Sequence, residues 1–576
     1  MLRPRVIVPA TLLALTLGAV PASARPSAEP AEAVATKVSE RFRAQQLKWQ
    51  PCFPESAPGL PPGGERLQCS VMKAPLDWNK PDRGTVDLAV SRLRPEHGEP
   101  KNLLLTNPGG PGEEGTIVPL LFLDPRHAAV ADSSEIVGVD VRGTGRSTNV
   151  TCGGETIGRE RDVRDRGRTN ENAMLDDAES MARACQTASK PVGDYVNTAQ
   201  TVRDFDLLRS LLGHDRTNFF GFSAGTWLGA HYATAFPSRV GRFVFDSSVK
   251  FTGTWQQIYA LQPMGFERRF RQDFLPWAAR YDAVYGLGDS ARAVRAVYER
   301  TRAQLAEQPL DMGDGTVVTA TSFDSLIAGN LYNKAYFPQL GGILAGLDAA
   351  TGGSTARSGD AGTSGAGTSG AGTKGAAGAN GAKVKKDLAE LVDGARGSAK
   401  MPGVPTGAPD AIDATFYTVG CNDTPWHGNR RTLAASSALQ GKMFPLIGWR
   451  SIAEPCLFWD RPAVKLPKPD GKGLPPVLMV QSEHDPAAPM EGAKLASAGF
   501  AGSRLLTVED EGDHMLYGNS NPCVDNAVDS YLASGKLPRR GTTCTGGPLP
   551  DPTAPEGARG EHSAERLSGF ADKLPR

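Results

Sequence analysis

The sequence predicts an α/β fold: a mostly parallel central sheet with helices on both faces and a helical lid insertion. Three observations lead there. Short apolar runs bounded by glycine alternate with segments of helical spacing, the pattern of a parallel sheet covered on both sides. One run, Thr217 to Phe222, passes through Gly221, Phe222, Ser223, Ala224 and Gly225 straight into the helix-like stretch Ala224 to Phe236, a strand, a tight turn and a helix in sequence. After Asp246 the rhythm changes, and aromatic residues recur every three or four positions with no clear strand among them.

The elements follow in order. Arg3 and Arg5, the apolar stretch Val6 to Val20 and the small residues Ala22, Ser23 and Ala24 read as an export signal over 1–24. Its apolar part is shorter than the roughly 20 residues of a membrane span. No cysteine precedes Cys52 to carry a lipid, so a secreted, extracellular chain without a membrane anchor is expected. Residues 25–50 form an N-terminal segment that is a candidate propeptide. A first core part spans 51–250: Val86, Leu88 and Val90 alternate as in a half-buried strand, Asn102 to Thr106 and Glu135 to Val141 are further strands, and Val202 to Leu212 has helical spacing. Gly241 to Phe245 continues the sheet.

The lid is expected over 251–413. Its stripe of Phe266, Phe270, Phe274, Trp277, Tyr281 and Val284 reads chiefly as the insertion's own core, with some rings left to line a cleft. Within it, the Gly/Ala/Ser/Thr tract of 351–381 is too poor in apolar bulk to offset the entropy of ordering and is expected to be a disordered tether. The core resumes over 414–551 with strands at Pro476 to Val480 and Arg504 to Val508, the last closing the sheet. Residues 552–576 read as a flexible tail.

With 576 residues and 40% hydrophobic content the chain can bury a large core. Its 63 basic residues balance 63 acidic ones, which leaves no field to favour nucleic acid or an anionic membrane; a small-molecule or peptide partner is expected. Eight cysteines, all beyond the signal, suit an oxidising compartment. Their grouping suggests neighbouring disulfides: Cys52 with Cys69, Cys152 with Cys185, Cys421 with Cys456, and Cys523 with Cys544. Neither CxxC spacing nor a matching histidine pair supports zinc, and no metal or organic cofactor is expected.

Gly221 to Gly225 is a GxSxG nucleophile elbow. A serine on so sharp a turn needs neighbours without bulk, and the following helix aims free N–H groups at any nearby oxyanion. A serine hydroxyl is a weak nucleophile, so it needs a histidine base and a carboxylate that fixes the ring's tautomer, in the chain order Ser, acid, His. His231, eight residues along the elbow helix, lies some 12 Å away at 1.5 Å per residue. Of the later candidates, His427, His484, His514 and His562, His514 fits best, in a glycine-containing loop after the last expected strand. Asp485 is the best acid: adjacent His484 and Asp485 point to opposite faces, as do Asp513 and His514. Asp423 and Asp510 stand in reserve. The oxyanion donors are expected to be the backbone N–H groups of Ala224 and of Gly109 or Gly110 in the Asn107 to Gly112 turn. Arg142 to Ser147 lacks the spacing of a phosphate loop and reads as a structural turn beside the cleft.

These motifs resemble a known family. Ala74 to Trp78, Asn107 to Gly112, Asp140 to Ser147, Gly221 to Thr226 with Tyr232, Phe236 and Pro237, and the stretch from Ser482 to Pro486 through Glu511 to His514 and on to Cys544 look like an α/β-hydrolase of the secreted tripeptidyl aminopeptidase group, related to proline iminopeptidases. The resemblance implies a serine exopeptidase that releases short peptides from free N-termini through an acyl-enzyme, with Ser223, Asp485 and His514 as the triad. Glu113 and Glu114 stand where relatives have small residues, and the pair is a candidate for holding a substrate ammonium, against the plainer reading of solvent-facing carboxylates. Because the base acts neutral, activity is expected to fall below roughly pH 6.5, shifted with the histidine. Two rivals stay open: a secreted carboxylesterase on small acyl esters, which the same triad serves, and a non-catalytic binding protein on the same scaffold.

Overall fold

The computed structural model describes residues 40–53, 60–154, 161–312, 317–353 and 407–554. The signal, residues 354–381 of the tether, His562 and the tail beyond 554 lie outside them.

A ten-stranded sheet organises the molecule. In chain order its strands are β1 (Gln50–Pro51), β2 (Gln68–Pro75), β3 (Thr85–Leu93), β4 (Asn102–Asn107), β5 (Ser134–Val139), β6 (Thr217–Phe222) and β7 (Val240–Asp246), and, after a small hairpin of β8 (Leu310–Asp311) and β9 (Val317–Val318), β10 (Val477–Ser482), β11 (Ser503–Glu509) and β12 (Thr543–Thr545). Across the sheet they run β1-β2-β3-β5-β4-β6-β7-β10-β11-β12. From β5 to β12 every pairing is parallel, whereas β1, β2 and β3 form an antiparallel edge. The central strands are buried at every position of β5, β6 and β10, as strands covered on both faces must be. Successive side chains feed opposite layers: Leu103, Leu105, Phe219, Phe243, Phe245 and Met479 pack in one, and Leu104, Phe220, Val244, Leu478 and Val480 in the other.

Three details differ from the sequence-based expectation. The sheet continues past β11 to β12, which pairs with Thr507 to Glu509. It also begins earlier than Val86, at β1 and β2, and Phe42 in the N-terminal segment is buried in the main core. The lid contains the β8–β9 hairpin, two residues to a strand and too short to leave a periodic signal.

No strand of the large sheet lies between Asp246 and Val477 among the described residues. The lid builds its own core from Phe266, Phe270, Phe274, Trp277, Tyr298, Phe323 and Phe337, with Phe270 stacked on Phe274 at 5.9 Å and Phe274 on Trp277 at 5.9 Å. Most of the aromatic stripe is therefore packing, while Val284 at its end is 48% exposed. A π-helical turn at Phe270–Phe274 interrupts the stripe. The helix Ala411–Asp423 packs Ala414 and Val419 into the main core, whereas Leu446 joins the lid's cluster, so both bodies share the segment before β10. Disulfides join Cys52 to Cys69, Cys152 to Cys185, Cys421 to Cys456 and Cys523 to Cys544.

Candidate active site

Ser223 stands between β6 and the helix Ala224–Ala235 with φ 55° and ψ −129°, a conformation that a non-glycine residue holds only under strain. The glycines around it are steric necessities: a Cβ on Gly221 would meet Phe219 at 2.6 Å, and one on Gly225 would meet the Asn107 carbonyl oxygen at 2.5 Å. The backbone N–H of Ser223 donates to the Asp246 carbonyl at 3.0 Å, which continues the β6–β7 ladder into the turn. Its hydroxyl makes no hydrogen bond to a described residue, and the residue is half-buried.

His514 lies in the loop after β11 and Asp485 in the loop after β10. The imidazole Nδ1 is 2.9 and 3.0 Å from the two Asp485 carboxylate oxygens. Asp485 is fully buried, and its Oδ1 also accepts the N–H groups of Ala487 and Ala488 at 3.0 and 2.8 Å, so the carboxylate has little freedom to turn away. That contact assigns the ring proton to Nδ1 and leaves Nε2 as the acceptor a general base needs. Burial alone would push the His514 imidazole down, but the charge of Asp485, the hydrogen bond to it and the charge of Asp246 together hold it above its ordinary value. The lid contributes Tyr332, whose carbonyl accepts the His514 N–H at 2.8 Å and whose ring meets the imidazole edge-on at 5.4 Å.

Two of the other candidate histidines pack elsewhere. His484 pairs with Asp273 of the lid at 2.9 Å, and His231 is buried against Trp227, with burial pushing it down to about 3. His427 is exposed. Of the reserve acids, Asp423 accepts hydrogen bonds from Thr198, Trp227 and Trp255, and Asp510 sits in a left-handed turn at φ 54°. Asp513 turns away from His514 into a buried charge cluster: it accepts Arg269 at 2.6 Å and the Lys334 N–H at 2.7 Å, while Lys334 also bonds Glu511. Arg142 forms a buried two-bond pair with Asp204 at 2.6 and 2.7 Å and is a structural element of its turn.

The Asn107 to Gly112 turn lies directly against the elbow, where a Cβ on Gly109 would meet the Phe222 carbonyl oxygen at 2.6 Å and the Ala224 nitrogen at 2.8 Å. The Gly109 N–H donates to Asn107 Oδ1 at 3.1 Å. The N–H groups of Ala224 and Gly110 make no hydrogen bond to described residues. Glu113 follows this turn. Although its side chain is exposed, surrounding protein strips part of its hydration, and this loss together with the like charge of Asp413 raises its carboxyl above the ordinary range. Tyr332 is similarly placed, 38% exposed yet walled by protein; desolvation first, then the charges of Asp485 and Glu113, push its phenol up to about 12. Glu114 is half-buried beside Glu113. Asp413 and Tyr332 were not singled out from sequence, since neither lies in a motif. Cys421, Glu454 and Cys456 lie within 4.8 Å of one another, but both sulfurs belong to one disulfide.

A family model described as alpha/beta hydrolase fold matches residues 102–282, and one described as TAP-like protein matches 445–544. The chain is 31% identical over 526 residues to a tripeptidyl aminopeptidase of Streptomyces lividans, covering 88% of each chain. It is 24% identical to the serine protease Hip1 of Mycobacterium tuberculosis, covering 88% of this chain and 92% of that one. It is 27% identical to a carboxylesterase B of the same species, covering 83% and 86%. With its elbow, its Asp–His pair and a relationship that spans nearly the whole of the Streptomyces protein, the chain belongs to the tripeptidyl aminopeptidase family of α/β-hydrolase-fold serine hydrolases.

Proposed function

We propose that this enzyme is a secreted serine exopeptidase that releases short peptides, tripeptides among them, from free N-termini. The observation that supports the reading is the His514–Asp485 contact at 2.9 Å, in loops that leave the same sheet edge as the strained Ser223 turn and give a tautomer-locked base. Ser223 attacks the scissile carbonyl as His514 Nε2 takes its proton. The developing oxyanion is held by the N–H groups of Ala224 and Gly110, and Asp485 stabilises the imidazolium. His514 then protonates the leaving amine, and a water activated by the same ring releases the acyl group. Glu113 and Asp413 at the cleft supply the negative potential that favours a substrate ammonium, and binding that cation favours the ionised carboxylates. Four disulfides support an oxidising, extracellular setting, and no described helix is long and apolar enough to cross a membrane.

The likeness to a carboxylesterase favours a second reading, turnover of small acyl esters by the same triad. Mass spectrometry of products from a mixed peptide pool, offered with free and with acetylated N-termini beside short acyl esters, decides between them. Short N-terminal peptides from free peptides alone support the proposal; fast ester turnover with no amide cleavage refutes it.

A further inference from the structure

The end of β7 and the two residues after it touch the Ser223 turn, the loop of His514 and strand β10, which leads to Asp485. Asp246, its last residue, is fully buried, and its carbonyl accepts the Ser223 N–H at 3.0 Å. Its carboxylate Oδ2 reaches the opposite side of the site, accepting the N–H groups of Leu516 at 2.9 Å and Tyr517 at 2.8 Å, two and three residues beyond His514. The next residue completes the cradle: Ser247 Oγ accepts the Met515 N–H at 2.8 Å and donates to Asp246 Oδ1 at 3.1 Å, and its own N–H donates to the Val480 carbonyl at 2.9 Å. Ser248 donates to Gln481 Oε1 at 2.7 Å, and the same glutamine side chain donates to Asp485 Oδ2 at 3.3 Å. Three consecutive amides after the base are thus received by the last residue of the strand that pairs with the nucleophile's own strand and by the residue that follows it.

We infer that Asp246 is a positioning residue for the reaction: its carbonyl holds the nucleophile turn and its carboxylate holds the chain leaving His514, so that one residue sets the spacing between hydroxyl and imidazole. The inference rests on the proposed roles of Ser223 and His514. Three residues bonded to Asp246 or to Ser247 beside it, namely Ser223, Ser247 and Met515, take positive φ, of 55°, 50° and 70°. Strain of that kind survives only where surrounding bonds over-determine it. The same contacts explain why a carboxylate is useful here where a neutral acceptor would serve the geometry. Among charged side chains, His514 faces Asp246, and Asp485 and Asp246 face His514. Burial pushes the Asp246 carboxyl up to about 6, against the pull of the Tyr517 and Leu516 N–H groups, Ser247 and His514. Above that pH it is ionised and adds a second negative charge toward the imidazolium that forms as Ser223 attacks.

The test uses the full chain with Asp246→Asn and Asp246→Ala, reading kcat and KM separately across pH with a free-amine peptide amide, alongside thermal unfolding. Asparagine keeps an oxygen for the two amides but lacks the charge. It is expected to retain most of kcat at neutral pH while the acid limb of kcat/KM moves to lower pH. Alanine loses the cradle as well and is expected to lower kcat on the order of 100-fold with KM little changed, the scale of a small misplacement of reacting groups. Wild-type kcat per folded molecule in Asp246→Ala, or an acid limb in Asp246→Asn that coincides with wild type, overturns the inference. If the alanine variant does not fold, the asparagine pH profile decides alone. Ser223→Ala run in parallel separates the two readings: wild-type turnover there refutes the nucleophile, whereas lost turnover there with unaltered Asp246 variants refutes only the role of Asp246.

Discussion

Replacing Arg269 with leucine tests whether the lid holds the base loop by charge. Arg269 is 1% exposed and sits on the lid helix Gln262–Arg269, where its guanidinium donates to Asp513 at 2.6 Å and Asp273 at 2.7 Å, lies over the Phe337 ring at 5.0 Å, and packs so tightly against Gly512 that a Cβ there would overlap it at 2.0 Å. Asp513 is the residue before His514, and it is 2% exposed. Burial and the nearby charge of Glu511 already push its carboxyl up, and Arg269 is one of two cations that oppose this, Lys334 being the other. Removing one partner of a buried pair leaves a charge without compensation, a loss of about 3 to 5 kcal/mol, whereas removing the charge from both sides is far better tolerated. Arg269→Leu is therefore expected to lower the urea midpoint by an equivalent amount and to reduce kcat/KM on the order of 100-fold as the loop shifts. Adding Asp513→Asn, which keeps an acceptor for the Lys334 N–H, is expected to restore much of the stability. Urea unfolding and steady-state kinetics on the two single variants and the double variant complete the cycle. A single-variant loss below about 1 kcal/mol, or a double variant that loses the sum of both singles, refutes the reasoning.

Three further outcomes follow from the site. Asp485→Asn removes the carboxylate that fixes the ring proton on Nδ1 and is expected to lower kcat on the order of 1,000- to 10,000-fold with KM near wild type, measured on a peptide amide. Because the base must be neutral and His514 is held above its ordinary value, kcat/KM is expected to fall on acidification through a limb that lies above the range of a free imidazole; a pH–rate profile with a limb below that range contradicts the assignment. Changing both Cys421 and Cys456 to alanine opens a loop closed over 35 residues, and a loss of about 3 to 4 kcal/mol is expected in thermal or urea unfolding under oxidising conditions.

Much of the site was legible because its chemistry constrains local sequence. The elbow must place glycine on either side of a strained serine, and Gly221 and Gly225 meet that demand through contacts a side chain could not survive. Asp485 and His514 could be reached by elimination, since alternation in an extended chain separates His484 from Asp485 and Asp513 from His514. The structure gives each rejected neighbour another partner, Asp273 for His484 and Arg269 for Asp513. What stayed hidden depends on contacts between distant segments. Asp246 reads as the polar end of a strand, and its bonds to Leu516 and Tyr517 span some 270 positions. Arg269 and Asp513 are 244 apart, and Asp413 lies on a helix far from the Glu113 turn. The bond from the Gly109 N–H to the Asn107 side chain two residues earlier is likewise carried by no motif. β12 and the lid hairpin are two or three residues per strand and carry no periodicity to read.

In the proposed reaction Ser223 is the nucleophile and His514 activates it. Intact-mass and peptide-mapping analysis after a serine-directed fluorophosphonate tests it most directly. One adduct per chain is expected on Ser223, absent in Ser223→Ala and formed far more slowly in His514→Ala. A native protein that stays unlabelled while a known serine hydrolase reacts alongside, or an adduct at another residue, contradicts it.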